Sequence, residues 1–216
     1  MLKLAPNDKK KYKVINVEIR EIEFQFKGDR SYIHGTDIFN AMLDNYPAAS
    51  LGNISFTMHD FVRTPTCQLY LMESKASLNE LVGVCTRCQF EINGTTHWLA
   101  LTQGNGDVTS GGRYEYDEEQ IITLCSLQGE CITLSKPSNF TFIENIVAMN
   151  KYLHQQLYPG VVGKWIFTRI DLKRNCVSRE SLELRFRHNM NYRLTKSDIL
   201  VDGKKIGDIY YSLVKS

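Results

Sequence analysis

Residues 56–63 read Phe56-Thr57-Met58-His59-Asp60-Phe61-Val62-Arg63, and residues 167–174 read Phe167-Thr168-Arg169-Ile170-Asp171-Leu172-Lys173-Arg174. The blocks share the pattern F-T-x-x-D-(apolar)-x-R at an offset of 111 residues, 167 less 56. Each follows an apolar-periodic stretch closed by Tyr-Pro, at Tyr46-Pro47 and at Tyr158-Pro159. Each is followed by a hairpin signal whose residues accept positive φ, Asn93-Gly94 and Asp202-Gly203, 109 residues apart. Three landmarks at nearly one offset mark an internal duplication.

Outward from these blocks the halves share one order of elements. In Tyr12 to Phe26 the residues Val17, Ile19, Ile22, Phe24 and Phe26 alternate with one break, which predicts a bulged strand. Thr36 or Asp37 then caps a helix carrying Ile38, Met42 and Leu43, stopped by Pro47, and strands follow from Ile54. In the second half residues 120–134 read as strand, Asn139 to Tyr158 as a longer helix, and the remainder as strands. The organisation expected is a first unit at 1–103, a linker at 104–117 containing Gly104-Asn105-Gly106 and Gly111-Gly112, and a second unit at 118–216, fused into one globular domain.

Of 216 residues 43% are hydrophobic, and 26 Lys and Arg face 24 Asp and Glu, which excludes a disordered or fibrous chain. No window holds the ~18 apolar residues of a membrane span, and the start lacks the apolar stretch of a signal peptide, so a cytoplasmic protein without membrane contact is expected. Net charge is +2 and the only basic run is Lys9 to Lys13, a poor match to nucleic acid as the main ligand. The six cysteines are expected as reduced thiols, with Cys67, Cys125, Cys131 and Cys176 in the core. Cys85-Thr86-Arg87-Cys88 has no partner motif, so no metal is expected, and no glycine loop has the context of a phosphate cradle.

Strand, central helix and antiparallel meander, occurring twice, resemble the double hotdog proteins, an α+β fold in which two antiparallel sheets each wrap a central helix. Arg169-Ile170-Asp171, Arg174-Asn175 and Glu180-Ser181-Leu182-Glu183-Leu184 further resemble the leinamycin-type bifunctional acyltransferase/decarboxylases. The resemblance implies an acyl thioester on coenzyme A or on the phosphopantetheine arm of an acyl carrier protein, in polyketide or fatty-acid-type biosynthesis, with no separate cofactor. It implies acyl transfer and decarboxylation first, 3-hydroxyacyl dehydration or thioester hydrolysis next, and a non-catalytic acyl-binding module as the reading from another class. Monomer and homodimer both fit. Reacting groups are expected at or just before the start of a central helix, where unpaired N–H groups stabilise a developing oxyanion.

Arg30 to Asn40 bring many reactive groups to that place. His34 and Asp37 are the expected acid/base pair, and Tyr32 is a candidate acid or acylated nucleophile. Gly35 allows close approach of a substrate, while Thr36 and Asn40 supply polar contacts. The bland alternatives are helix capping by Thr36 and Asp37 and a structural role for His34. The second half has no histidine at the matching place; Thr141 and Glu144 form a capping-box pattern, and Asn139, Glu144 and Asn145 are the expected substrate contacts from that side. Only one of the two pseudo-equivalent sites is therefore expected to react. His97, His154 and His188 read as surface or edge residues, and Arg185, Arg187, Arg193 and Lys196 as a solvated face or a dock for an acidic carrier protein.

Overall fold

The computed structural model describes residues 17–72, 74–104, 111–176 and 181–215; the run Lys9 to Lys13, Asn105-Gly106 and Glu180 lie outside the described residues. Within the first strand-like stretch, β1 (Val17–Glu23) runs through the break between Ile19 and Ile22 with no shift of register, so the bulge expected there does not form. The chain then leaves the sheet, and β2 (Phe26–Lys27) pairs in parallel with β7 (Arg113–Tyr114). The other elements of the first half are α1 (Gly35–Leu43), β3 (Leu51–Met58), β4 (Thr66–Met72), α2 (Lys75–Glu80), β5 (Val84–Ile92) and β6 (Thr95–Gln103). The second half holds α3 (Glu119–Ile122), β8 (Cys125–Gln128), β9 (Cys131–Leu134), α4 (Phe142–Leu157), β10 (Lys164–Arg174), β11 (Leu182–Met190), β12 (Leu194–Val201) and β13 (Lys204–Val214).

Both hairpin signals close as their residue types demand. Asn93 and Gly94 stand at φ 50° and 77° between β5 and β6, and Asp202 and Gly203 at 49° and 74° between β12 and β13. Residues 120–134 differ from the continuous strand expected, because α3 takes the first of them and Gly129, at φ 56°, turns β8 into β9. Cys67, Cys85 and Cys88 are buried free thiols and Cys176 is buried, whereas Cys125 and Cys131 are only half-buried because they lie on the edge hairpin β8–β9. No described helix is long and apolar enough to cross a membrane.

The two sheets expected from the resemblance are one. Eleven strands run in the order β1-β4-β6-β5-β3-β10-β13-β12-β11-β9-β8, all neighbours antiparallel, and the halves meet where β3 pairs β10. The joint is the repeated block itself. Thr57 lies opposite Arg169, and an offset of 111 carries Thr57 onto Thr168 and Met58 onto Arg169, so the pairing maps onto itself with the strands exchanged. A pseudo-two-fold axis therefore passes between these strands. The equivalent rings of Phe56 and Phe167 stack across it, centroids 5.8 Å apart and 8° from parallel. The two acids of the repeated block make unlike contacts. Asp171 binds Arg169 and the Ser55 hydroxyl across the joint, while Asp60 accepts from the Phe61 amide and Arg63 lies over the Phe61 ring.

Close packing continues in the next strand pair, where Gly207 of β13 faces Leu172 of β10. A Cβ at Gly207 would lie 2.1 Å from the Asp171 carbonyl oxygen and 2.9 Å from Leu172 Cδ2. A backbone oxygen bound into a sheet cannot step aside as a flexible side chain can. Gly207→Ala is expected to cost about 3 kcal/mol, read as a lower urea midpoint at unchanged slope. An unchanged midpoint would show that β13 slides freely past β10.

Candidate active site

The central helices begin at residues 35 and 142, 107 apart, and both place an acid at their third position, Asp37 in α1 and Glu144 in α4. One side chain serves both. Lys27 Nζ donates to Glu144 Oε1 at 2.6 Å and Thr36 Oγ1 at 2.8 Å and forms an ion pair with Asp37 Oδ1 at 2.8 Å. Its side chain is 0% exposed, and Tyr116 presents its ring 4.3 Å from Nζ. Tyr114 OH donates to Asp37 Oδ2 at 3.0 Å. Burial works to raise the Glu144 carboxyl, but the bonds from Lys27 and Thr141 outweigh it and hold the group below the usual carboxylate range. The capping box expected at Thr141 and Glu144 is formed.

His34 sits at the N-cap of α1, two positions before Thr36 and three before Asp37, the caps expected, and makes no side-chain cap. Thr36 and Asp37 lie inside the first turn because Lys27 draws both toward the helix start. The expected direct contact of His34 with Asp37 is replaced by a contact with Thr36, His34 Nδ1 to Thr36 Oγ1 at 2.7 Å. Burial, then the charges of Lys27, Arg30 and Lys151, holds the imidazole well below the usual histidine range. His34 is therefore neutral at pH 7.

A cavity of about 790 Å³ opens in front of it. Its floor and walls include Gly35, Met58, Val147, Trp165, Phe167 and Tyr211, and its mouth carries Asp29, Arg30, Asp117, Glu118, Glu119, Lys151 and Lys164. Arg30 and Lys151 both pair with Glu118, which leaves Lys164 as the mouth cation with no acid partner among the described residues. A Cβ at Gly35 would stand 2.5 Å from Met58 Sδ and 3.0 Å from the Phe167 ring, so glycine keeps these walls apart. Tyr116 also lines the cavity; its hydroxyl is buried with no partner among the described residues, and burial followed by the charges of Glu144 and Glu118 raises the phenol so that it stays protonated.

Of the residues expected from the sequence, Tyr32, His34 and Gly35 line this cavity, Tyr32 with its ring 4.7 Å from that of Phe61. Thr36, Asp37 and Glu144 are gathered around Lys27 behind His34. Asn40 donates to Thr141 Oγ1 at 3.3 Å and lines a different hollow, Asn145 is buried on Ser138 and Phe140, and Asn139 is exposed ahead of α4. Lys27, Tyr114 and Tyr116 were not among the candidates. The alternation Tyr114-Glu115-Tyr116, a strand-like period of two, is the one signal that could have drawn attention to the last two.

The second pseudo-equivalent site is a hollow of about 240 Å³. At the helix offset of 107 the wall residues Val147 and Lys151 become Asn40 and Asp44, which do line it, while Gly35 becomes Phe142. The open place and its histidine have become a phenyl ring and Thr141.

No family model and no curated protein sequence matches this chain. Solved structures do. A protein provisionally described as a thioesterase II from Thermobifida fusca is 8% identical, with 91% of this chain and 92% of that one covered at a TM-score of 0.52. The bifunctional dehydratase-cyclase domain of ambruticin biosynthesis matches at 11% identity, 85% and 83% coverage and TM-score 0.47. A monomeric dehydratase domain from a trans-AT polyketide synthase split module matches at 7% identity, 92% and 99% coverage and TM-score 0.47. The fold is that of the hotdog proteins.

Proposed function

We propose that this protein processes an acyl thioester held on the phosphopantetheine arm of a carrier protein or on coenzyme A. The observation that carries the reading is His34, neutral, at the N-terminus of a central helix and lining a cavity of about 790 Å³. A thioester carbonyl at that place meets the positive end of α1, which favours the negative charge of an enolate or oxyanion. His34 exchanges the proton with the substrate. The apolar side chains Met58, Val147, Trp165 and Phe167 in the lining suit an acyl chain, and Lys164 suits a phosphate of the arm.

Two reactions suit one proton-transferring imidazole with neutral phenols nearby: dehydration of a 3-hydroxyacyl thioester and hydrolysis of the thioester. Acyl transfer with decarboxylation would draw on Tyr32, whose ring lies against Phe61 at the cavity wall. Incubation with 3-hydroxyacyl, saturated and malonyl thioesters of coenzyme A and of carrier protein, followed by mass spectrometry, distinguishes them as loss of water, release of free acid, or loss of carbon dioxide. Whichever occurs, His34→Gln is expected to slow it by roughly 10²- to 10⁴-fold. Undiminished turnover in that variant would remove His34 from the chemistry, and no turnover of any thioester would leave a binding module.

A further inference from the structure

The contacts behind His34 determine which of its two nitrogens carries the proton. Thr36 Oγ1 already accepts a hydrogen bond from the Lys27 ammonium at 2.8 Å, so its single hydroxyl proton must go elsewhere. Two acceptors are in reach. Asp37 Oδ1 is 3.4 Å away and is itself bound by Lys27 at 2.8 Å; His34 Nδ1 is 2.7 Å away. The 3.4 Å contact lies beyond the usual O–H···O range of about 2.5–3.0 Å, which leaves His34 Nδ1 as the acceptor within ordinary hydrogen-bond reach of the hydroxyl. A cation bound to the hydroxyl oxygen also makes that hydroxyl a stronger donor and a weaker second acceptor. Asp37 has both oxygens engaged, Oδ1 by Lys27 and Oδ2 by Tyr114.

We propose that Lys27 is a positioning residue which, through Thr36, fixes His34 as the Nε2–H tautomer. Nδ1 is the acceptor of the Thr36 hydroxyl, and Nε2, which has no partner among the described residues, is the donor left for a ligand in the cavity. His34 therefore meets its substrate first as a hydrogen-bond donor, toward the thioester carbonyl oxygen or a β-hydroxyl, before any proton is transferred. Lys27 owes its place to the duplication, since it needs both Asp37 and Glu144 to hold it.

The inference deepens the reading of His34 as the proton-transferring group, and its test needs no substrate. In protein labelled with ¹⁵N at its histidine rings, the His34 signals are those absent from His34→Gln. The expected result is a protonated, pyrrole-type Nε2 and an unprotonated, pyridine-type Nδ1 that persist in Thr36→Ser and give way to mixed tautomers in Thr36→Val. Lys27→Met, where it folds, is expected to blur the tautomer in the same way with Thr36 intact. A protonated Nδ1 in the native protein overturns the inference even where His34→Gln abolishes turnover. The expected tautomer in a protein whose His34→Gln variant keeps full turnover overturns the functional reading alone. A Thr36→Val spectrum identical to the native one overturns the relay through Thr36.

Discussion

Lys27→Met is expected to destabilise the protein by about 3–5 kcal/mol, because it strands Asp37 and Glu144 without the ammonium that both were built around. For a chain of this length that is a fall in melting temperature of roughly 10 °C. The side chain of Lys27 is wholly buried and those of the two acids are only 16% and 13% exposed, so water replaces little of what is lost. The strain is relieved by removing the charges that remain: Lys27→Met combined with Asp37→Asn and Glu144→Gln is expected to melt well above the single variant. Were Lys27→Met to melt within a degree or two of the native protein, the cluster would be incidental to the fold. Activity gives a second reading, since Lys27→Met is expected to slow turnover even below its melting range by loosening His34.

Stability is expected to fall as pH drops from about 6.5 to about 4, through His154. Although it was expected on the polar side of its helix, His154 is 0% exposed between the rings of Trp165, Phe186 and Tyr211. Nδ1 donates to the Asn150 carbonyl oxygen at 2.6 Å and Nε2 lies 2.6 Å from Thr195 Oγ1, an arrangement that suits a neutral ring. Burial lowers its pKa from 6.5 to about 4 against the opposing effect of the Asn150 carbonyl. The sign follows from proton uptake. Between those values the unfolded chain protonates this group and the folded chain does not, so the contribution is full above pH 6.5 and lost progressively below it. The size is about 3 kcal/mol at 1.36 kcal/mol for each unit of pH. Urea titrations at pH 7 and pH 4.5 measure the change, and His154→Phe is expected to reduce it by about that amount, the remainder coming from His34, which burial depresses in the same direction. A pH difference in His154→Phe equal to that of the native protein would mean that His154 is charged in the fold.

The duplication, both hairpins, the two central helices and the placement of His34 were legible because each is written in local spacing. What was not legible depends on long-range encounter. Lys27 and Glu144 are 117 residues apart in the chain, and nothing in either neighbourhood announces the other. Reading 104–117 as a linker on its glycines hid Tyr114 and Tyr116, which return to line the helix starts. His154 was misplaced because α4 is enclosed on almost every side, so helical periodicity no longer separates a polar face from an apolar one. The basic residues Arg185, Arg187 and Lys196 are each answered by an acid, Glu183, Asp198 and Asp208, which leaves little charge there to steer a partner.

The sharing of one ammonium between Asp37 and Glu144 also bears on descent. An ancestral dimer of identical units would have been symmetric about the joint between β3 and β10, with whatever stood at one helix start repeated at the other. The present chain has broken that parity. Two copies of the second half would bring two Glu144 carboxylates together with no Lys27 between them, and two copies of the first would crowd two ammonium groups into the space of one. Each half has thereby become the other's counter-ion, and gene fission would no longer return two self-sufficient units: the fusion works as a ratchet.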